Sequence, residues 1–156
     1  MDREEAEEVA LDAATPGAAP LQFVTDVRDG YLYVRVTGDY SLQGARDACR
    51  HWMDSGLAHL HRSVIADIRG VRNFRASTVA VMQRFELAQG LVQVLPPDIR
   101  LAIVESDEQF DPERFGELVM SNRGMMVRIT TSLDDALAWI GTWRDSHAAA
   151  PATQER

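Results

Sequence analysis

Residues 63–78 read SVIADIRGVRNFRAST, and three features of this stretch decide the fold. Ser63–Ile68 is short, apolar and rich in β-branched side chains, the composition of a buried strand. Arg69–Arg75 follows as a loop, opened by Gly70. From about Ala76 to Val92 the apolar spacing becomes helical, with Val81, Phe85, Ala88 and Val92 on one face. A strand that turns through a short loop into a helix is the first half of a βαβ unit.

The same alternation continues on both sides. Upstream, Gln22–Val27 and Tyr31–Thr37 flank Asp29-Gly30, a two-residue hairpin signal. Leu32, Val34 and Val36 alternate with Tyr31, Tyr33 and Arg35, so one set faces a core. Ser41 then caps a helix running to about Gly56, striped by Leu42, Ala45, Cys49, Trp52 and Met53. Downstream, Pro96-Pro97 stops the second helix, and Ile99–Val104 is a nearly continuous apolar run typical of a strand covered on both sides. Asp111-Pro112 opens a third helix faced by Phe115, Leu118 and Val119, and Asn122 to Gly124 end it. Met125–Thr130 is the last strand. Ser132 with Asp135 has the form of a capping box, and Leu133, Ala136, Leu137 and Ile140 follow at helical spacing. The order is ββαβαβαβα. It predicts an α/β fold with a single sheet, mostly parallel with an N-terminal antiparallel hairpin, right-handed crossovers, and helices packed against the sheet.

Composition bounds the rest. The chain has 156 residues, 46% of them apolar, enough for one domain with one core. The net charge is −8, of which residues 1–20 contribute −5 through six acids and Arg3, leaving the remainder near neutral at −3. No broad basic face is available for a phosphate backbone, so nucleic acid is not an expected partner. Residues 1–20, acidic and then Ala/Pro-rich, read as a disordered tail, with a transient helix over Arg3–Leu11. Residues 21–146 form the domain, and residues 147–156 a flexible C-terminal tail. No apolar run is long enough for a transmembrane segment, and the acidic N-terminus is no secretory signal. With Cys49 as the single cysteine, no intrachain disulfide or multi-cysteine metal site exists. A cytoplasmic protein is expected. All sixteen basic residues are arginine, which fits a GC-rich bacterial genome.

The element order, together with Ile65-Ala66-Asp67-Ile68-Arg69-Gly70-Val71 and the residues to Thr78, resembles the STAS domain (sulfate transporter and anti-sigma-factor antagonist), above all its stand-alone bacterial members. The resemblance covers roughly Leu21–Arg144. Family members carry a strand ending in Asp-hydrophobic-Ser-Gly-Val. An Asp-Ser pair then opens the next helix, and its serine is the phosphorylation switch of anti-sigma-factor antagonists. Asp67, Gly70 and Val71 match that pattern. Arg69 replaces the first serine, Arg75 stands in place of the aspartate, and Ala76 falls on the switch serine, with Ser77 one position later. The switch is therefore not preserved in register. Ser121-Asn122-Arg123-Gly124 and the helix ending Ala138-Trp139-Ile140 resemble a branch of STAS-like proteins without a settled function.

The candidate site is the segment Asp67, Arg69, Gly70, Arg72, Arg75, Ser77 and Thr78, at the carboxyl end of a strand where open α/β sheets bind ligands. Arg69, Arg72 and Arg75 suit an acidic partner surface or a small anionic ligand such as a metabolite, nucleotide or lipid head group, aided by a helix N-terminus. The plainer alternative is that Ser77 caps the helix and the arginines are solvated. Ser77 and Thr78 are the candidate phosphoacceptors. His59-Leu60-His61 lacks the further ligands zinc needs and reads as loop surface. Glu105, Asp107, Glu108 and Asp111 read as a solvated acidic loop rather than a divalent-ion site. Cys49 reads as a buried hydrophobe. Trp139 and Trp143 read as sheet cover, although an exposed Trp143 would mark a partner surface. No nucleophile elbow, P-loop or dinucleotide motif is present. Neither cofactor nor metal is expected. The resemblance implies a non-catalytic regulatory module with a protein partner, and a homodimer is open. An enzyme would need a base and nucleophile brought together from distant segments.

Overall fold

Gly30 closes the first hairpin with φ +81°, a conformation glycine adopts without strain. β1 (Gln22–Arg28) thereby pairs antiparallel with β2 (Tyr31–Asp39), in register from Arg28↔Tyr31 to Gln22↔Thr37. The structure, a computed structural model, describes residues 19–57 and 61–141. The two expected tails (Ala19 and Pro20 apart), His59 and Trp143 lie outside the described residues. From β2 the chain passes through α1 (Leu42–Asp54), β3 (Ser63–Arg72), α2 (Val81–Val94), β4 (Arg100–Val104), α3 (Phe115–Asn122) and β5 (Met126–Thr130). A final helix, α4, covers 133–141. The strands form one sheet in the order β1-β2-β3-β4-β5, parallel from β2 onward. This is the expected ββαβαβαβα order.

Strand periodicity divides the core between two faces. Leu32, Val34, Val36, Val64, Leu101, Ile103, Val127 and Ile129 point to one face, where they meet Trp52 of α1, Ala88 of α2, and Val119 and Met120 of α3. Tyr31, Tyr33, Ile65, Ala102 and Val104 point to the other, where Ala136 and Ile140 of α4 cover them. β4 contributes to both clusters, as its unbroken apolar run predicts.

Local capping follows the sequence at two of the four helices. The Ser41 hydroxyl accepts the Gly44 amide at 3.0 Å, and the Ser132 hydroxyl accepts the Asp135 amide at 3.1 Å. The Asp135 carboxylate is drawn instead to Arg128 on β5, at 2.8 Å, which fastens α4 to the sheet edge. Three boundaries differ from the sequence reading. β3 runs on to Arg72, because the long β2 still offers Thr37, Gly38 and Asp39 as partners. α2 starts at Val81 rather than near Ala76. α3 starts at Phe115, after Asp111 has accepted the amides of Glu113 and Phe115. Three residues placed on apolar faces are exposed, Val81 at 63%, Leu118 at 54% and Leu137 at 36%. On α3 the buried neighbour is Met120.

Gly38 is where the chain entering β1 passes close beside β2. It holds φ +116°, and a Cβ there would stand 2.3 Å from the Pro20 carbonyl oxygen. Gly38→Ala is expected to destabilise the domain by roughly 1–3 kcal/mol. Gly56→Ala, also at positive φ but with nothing within 4 Å, should cost less. Urea unfolding of the two variants beside the parent checks the difference.

Candidate functional site

A bulge in β3 organises the carboxyl end of the sheet. Asp67 pairs with Arg35, but Gly70 pairs with Thr37, so β3 carries one extra residue there. Arg69 folds back on Asp67, donating from Nε to Oδ1 at 2.9 Å and from Nη2 to Oδ2 at 2.8 Å, while its amide donates to Oδ1 at 3.2 Å. The Tyr33 hydroxyl on β2 donates to Asp67 Oδ2. The Arg28 guanidinium lies 4.0 Å from the Tyr33 ring centre. Asp67 and Tyr33 are each 6% exposed. Burial pushes the Asp67 carboxyl up, but the bonds from Arg69 and Tyr33 outweigh it and hold it below its ordinary value. Burial, and then the bond to Asp67, push the Tyr33 phenol up. Asp67 is thus a structural anion with its charge neutralised on the face opposite the three crossover helices.

The remaining arginines of the segment face other carboxylates. Arg72 Nε donates to Asp39 Oδ1 at 2.7 Å, and Asp39 also accepts the Ala19 amide at 2.7 Å. Arg75 lies 3.5 Å from Glu108. Gly70 sits against the Thr37 methyl. Asn73 turns the chain with φ +66°, and buried Phe74 packs on Tyr40 with ring centres 4.8 Å apart. Ser77 and Thr78 are exposed in a turn over 76–78, ahead of the helix. Ser77 does not cap α2. The N-cap is Ala80, without a side-chain bond, because the Thr78 and Val79 amides already donate to the Arg75 carbonyl. The seven candidate residues therefore form no single constellation. Asp67 and Arg69 meet, Arg72 and Arg75 are paired separately, and the two hydroxyls face solvent.

Gln109, which sequence reasoning passed over, fixes this segment. Its Nε2 donates to the carbonyls of Ile68 and Val71, both at 2.9 Å, and its Oε1 accepts the Ser106 amide at 2.8 Å. It is 3% exposed. The Gln109 carbonyl accepts Arg84 Nη2 at 3.2 Å, and the Glu108 carbonyl accepts the Ala76 amide at 3.0 Å. The loop after β4 thus holds both the end of β3 and the turn before α2.

Glu105 departs from the expected solvated acidic loop. Asp107 and Glu108 are exposed, but Glu105 is 4% exposed. It lines an apolar cavity of about 170 Å³ between the sheet and the three crossover helices, together with Arg84, Asp111 and Arg114. Burial pushes its carboxyl up to about 7, with Arg84 lowering it and Asp111 raising it. Cys49 lines the same cavity, and burial pushes its thiol up to about 11, so it is unreactive at neutral pH. Among the described residues, no three His, Cys, Asp or Glu side chains come together to hold a metal ion. No helix in that range is long and apolar enough to cross a membrane.

The fold is STAS-like. It aligns with a solved anti-sigma factor antagonist from Mycobacterium paratuberculosis at a TM-score of 0.51 and 15% identity, over 77% of this chain and 93% of that one. It also aligns with a protein of the DUF3478 family with a SpoIIAA-like fold from Shewanella loihica, at a TM-score of 0.47 and 14% identity, over 80% of this chain and 97% of that one. No family model and no curated protein matches the sequence.

Two measurements probe this end of the sheet. Gln109→Leu strands the Ile68 and Val71 carbonyls and the Ser106 amide, with an expected cost on the order of 3 kcal/mol. Gln109→Glu keeps the shape but turns the donor into an acceptor facing two carbonyls, so it should not rescue. Equilibrium unfolding reads both. Glu105 has a folded value near 7 against 4.5 unfolded. Stability from this residue is complete below about 4.5 and is lost as pH rises through 7, by roughly 3 kcal/mol. Urea unfolding at pH 5 and pH 8 should show a fall in the parent that is smaller by that amount in Glu105→Gln.

Proposed function

We propose that this chain is a non-catalytic regulatory module that binds a protein partner, in the manner of anti-sigma-factor antagonists. The partner would meet residues 73–82, the turn before α2 and its first residues. The observation that carries this reading is the pair Val81 and Met82, 63% and 65% exposed in the first turn of a helix whose approach is fastened by Gln109 and Glu108. Two large apolar side chains on a fixed support are a surface that gains free energy when covered. The likeness to a protein described as an anti-sigma factor antagonist supports the same class of role.

Regulation by phosphate at this surface would need an acceptor other than Ala76. Ser77 and Thr78 carry exposed hydroxyls next in sequence. A phosphoryl group there would add charge beside Arg75, which would have to leave Glu108 to pair with it. Partner release through charge and desolvation, rather than a new ion pair, is the expected effect.

A photo-crosslinking residue at position 82, introduced in the native host, is expected to yield one dominant adduct, lost when Val81→Asp is added. The same residue at Asp134, exposed on α4, serves as the control. An adduct of twice the chain mass would identify a second copy as the partner. No adduct from position 82, or the same adducts from position 134, would overturn the proposal.

A further inference from the structure

The space between the sheet and the crossover helices is unusual in holding a buried acid at one end. Val34, Leu101 and Ile103 form its floor, and Trp52, Ala88 and Leu91 its roof. At the carboxyl end of the parallel strands it meets Glu105, just past β4, Arg84 in the first turn of α2, and Asp111 and Arg114 ahead of α3. Three of these four charged groups are already engaged. Arg84 donates to the Gln109 carbonyl and stacks 4.5 Å from the Phe74 ring centre. Asp111 accepts the amides of Glu113 and Phe115. Arg114 donates to the Ile129 carbonyl at 2.8 Å and to Glu117 at 3.2 Å. The Glu105 carboxyl accepts no hydrogen bond from a described residue, although the residue is 4% exposed and lines the cavity.

A buried carboxyl that accepts no hydrogen bond costs free energy that an apolar side chain of similar size would avoid. Its presence in an apolar cavity is explained if an incoming group completes its hydrogen bonding. From this geometry we propose that the cavity is a binding site for a small, largely apolar molecule carrying one hydroxyl or amino group, which donates to the Glu105 carboxyl. The volume sets the size of the apolar body. At about 170 Å³ it is close to an engineered cavity of about 150 Å³ that holds benzene. A single ring or a short branched chain fits. Anionic heads are disfavoured, since they would lie against Glu105 and Asp111 while Arg84 and Arg114 stay committed elsewhere. This site is separate from residues 73–82, and its ligand does not depend on the partner proposed there.

Benzyl alcohol and toluene make a matched pair of neutral probes, alike in ring and differing in the donor. Titration of the full chain followed by NMR should show saturable shifts for benzyl alcohol, with NOEs to the Ala88 methyl and the Trp52 ring. Toluene should bind about tenfold more weakly, the loss of one hydrogen bond to a carboxyl. Glu105→Leu should abolish or invert that preference while still admitting toluene. Ala88→Leu should exclude both. The NOEs in the parent decide the matter if that last variant does not fold. The proposal is overturned if neither probe saturates, if NOEs arise elsewhere, if the parent binds both probes equally, or if Glu105→Leu keeps the preference for the alcohol.

Discussion

A right-handed crossover between neighbouring parallel strands places its helix on a face set by the direction in which the sheet is being built. Here β2, β3, β4 and β5 are laid down in one direction without reversal, so α1, α2 and α3 must share a face. The core agrees, with all three crossover helices packed on the even-numbered residues of β2 and their equivalents. Among the described residues, α4, the helix after the last strand, is the one that covers the other side. Most of what distinguishes this molecule follows from that asymmetry. One face is a thick layer with room for a cavity. On the other, among the described residues, one helix packs, and beside it the sheet's own polar residues pair with one another.

The Tyr33–Asp67–Arg69 group is the clearest consequence of the thinly covered face. Asp67 is buried beside β2, yet its carboxylate receives both arms of a guanidinium, one amide and a phenol. A buried charge is tolerated when its lone pairs are satisfied in this way. The bulge makes it possible, because the extra residue in β3 lets Arg69 fold back toward its own strand. Asp67 thus stands at the bulge, where the pairing of β3 with β4 ends and β3 continues along β2 alone as far as Arg72. The segment that follows owes its shape to Gln109.

What the sequence discloses and what it withholds divide along a physical line. Strands β1, β2 and β4, the hairpin at Asp29-Gly30 and the caps at Ser41 and Ser132 depend on contacts within a few residues, and periodicity or a single hydroxyl reveals them. The start of α2 depends on amides of Ala76, Thr78 and Val79 finding carbonyls at Glu108 and Arg75, and one of those is thirty-two residues away. Ser77 looks like a cap only while Glu108 is out of view. Glu105 is a similar case. In the string Glu105–Asp111 every local signal is polar, and only the sheet shows that its first residue lies beneath three helices while Asp107 and Glu108 lie outside. Arg72 and Arg75 read as part of a positive cluster because their carboxylates, Asp39 and Glu108, come from distant segments. Asp67 was visible in the same stretch, but the fold-back of Arg69 that pairs them was not.

The two proposed surfaces share α2. Val81 and Met82 stand at its outer end, and Ala88 and Leu91 face inward over the cavity. A ligand beneath the helix can influence a partner at its tip only if the helix has two positions that the ligand distinguishes. Close packing favours this more than a continuous adjustment would, because a packed layer responds to an added group by shifting as a unit. The features that would transmit such a shift are Arg84 and Gln109. Arg84 sits at the cavity wall and bonds the loop carbonyl that follows Glu108, and Gln109 ties the same loop to β3. The cavity beneath the same helix, with the proposed ligand against Glu105, is a physically sufficient place for an input to that partner surface to act.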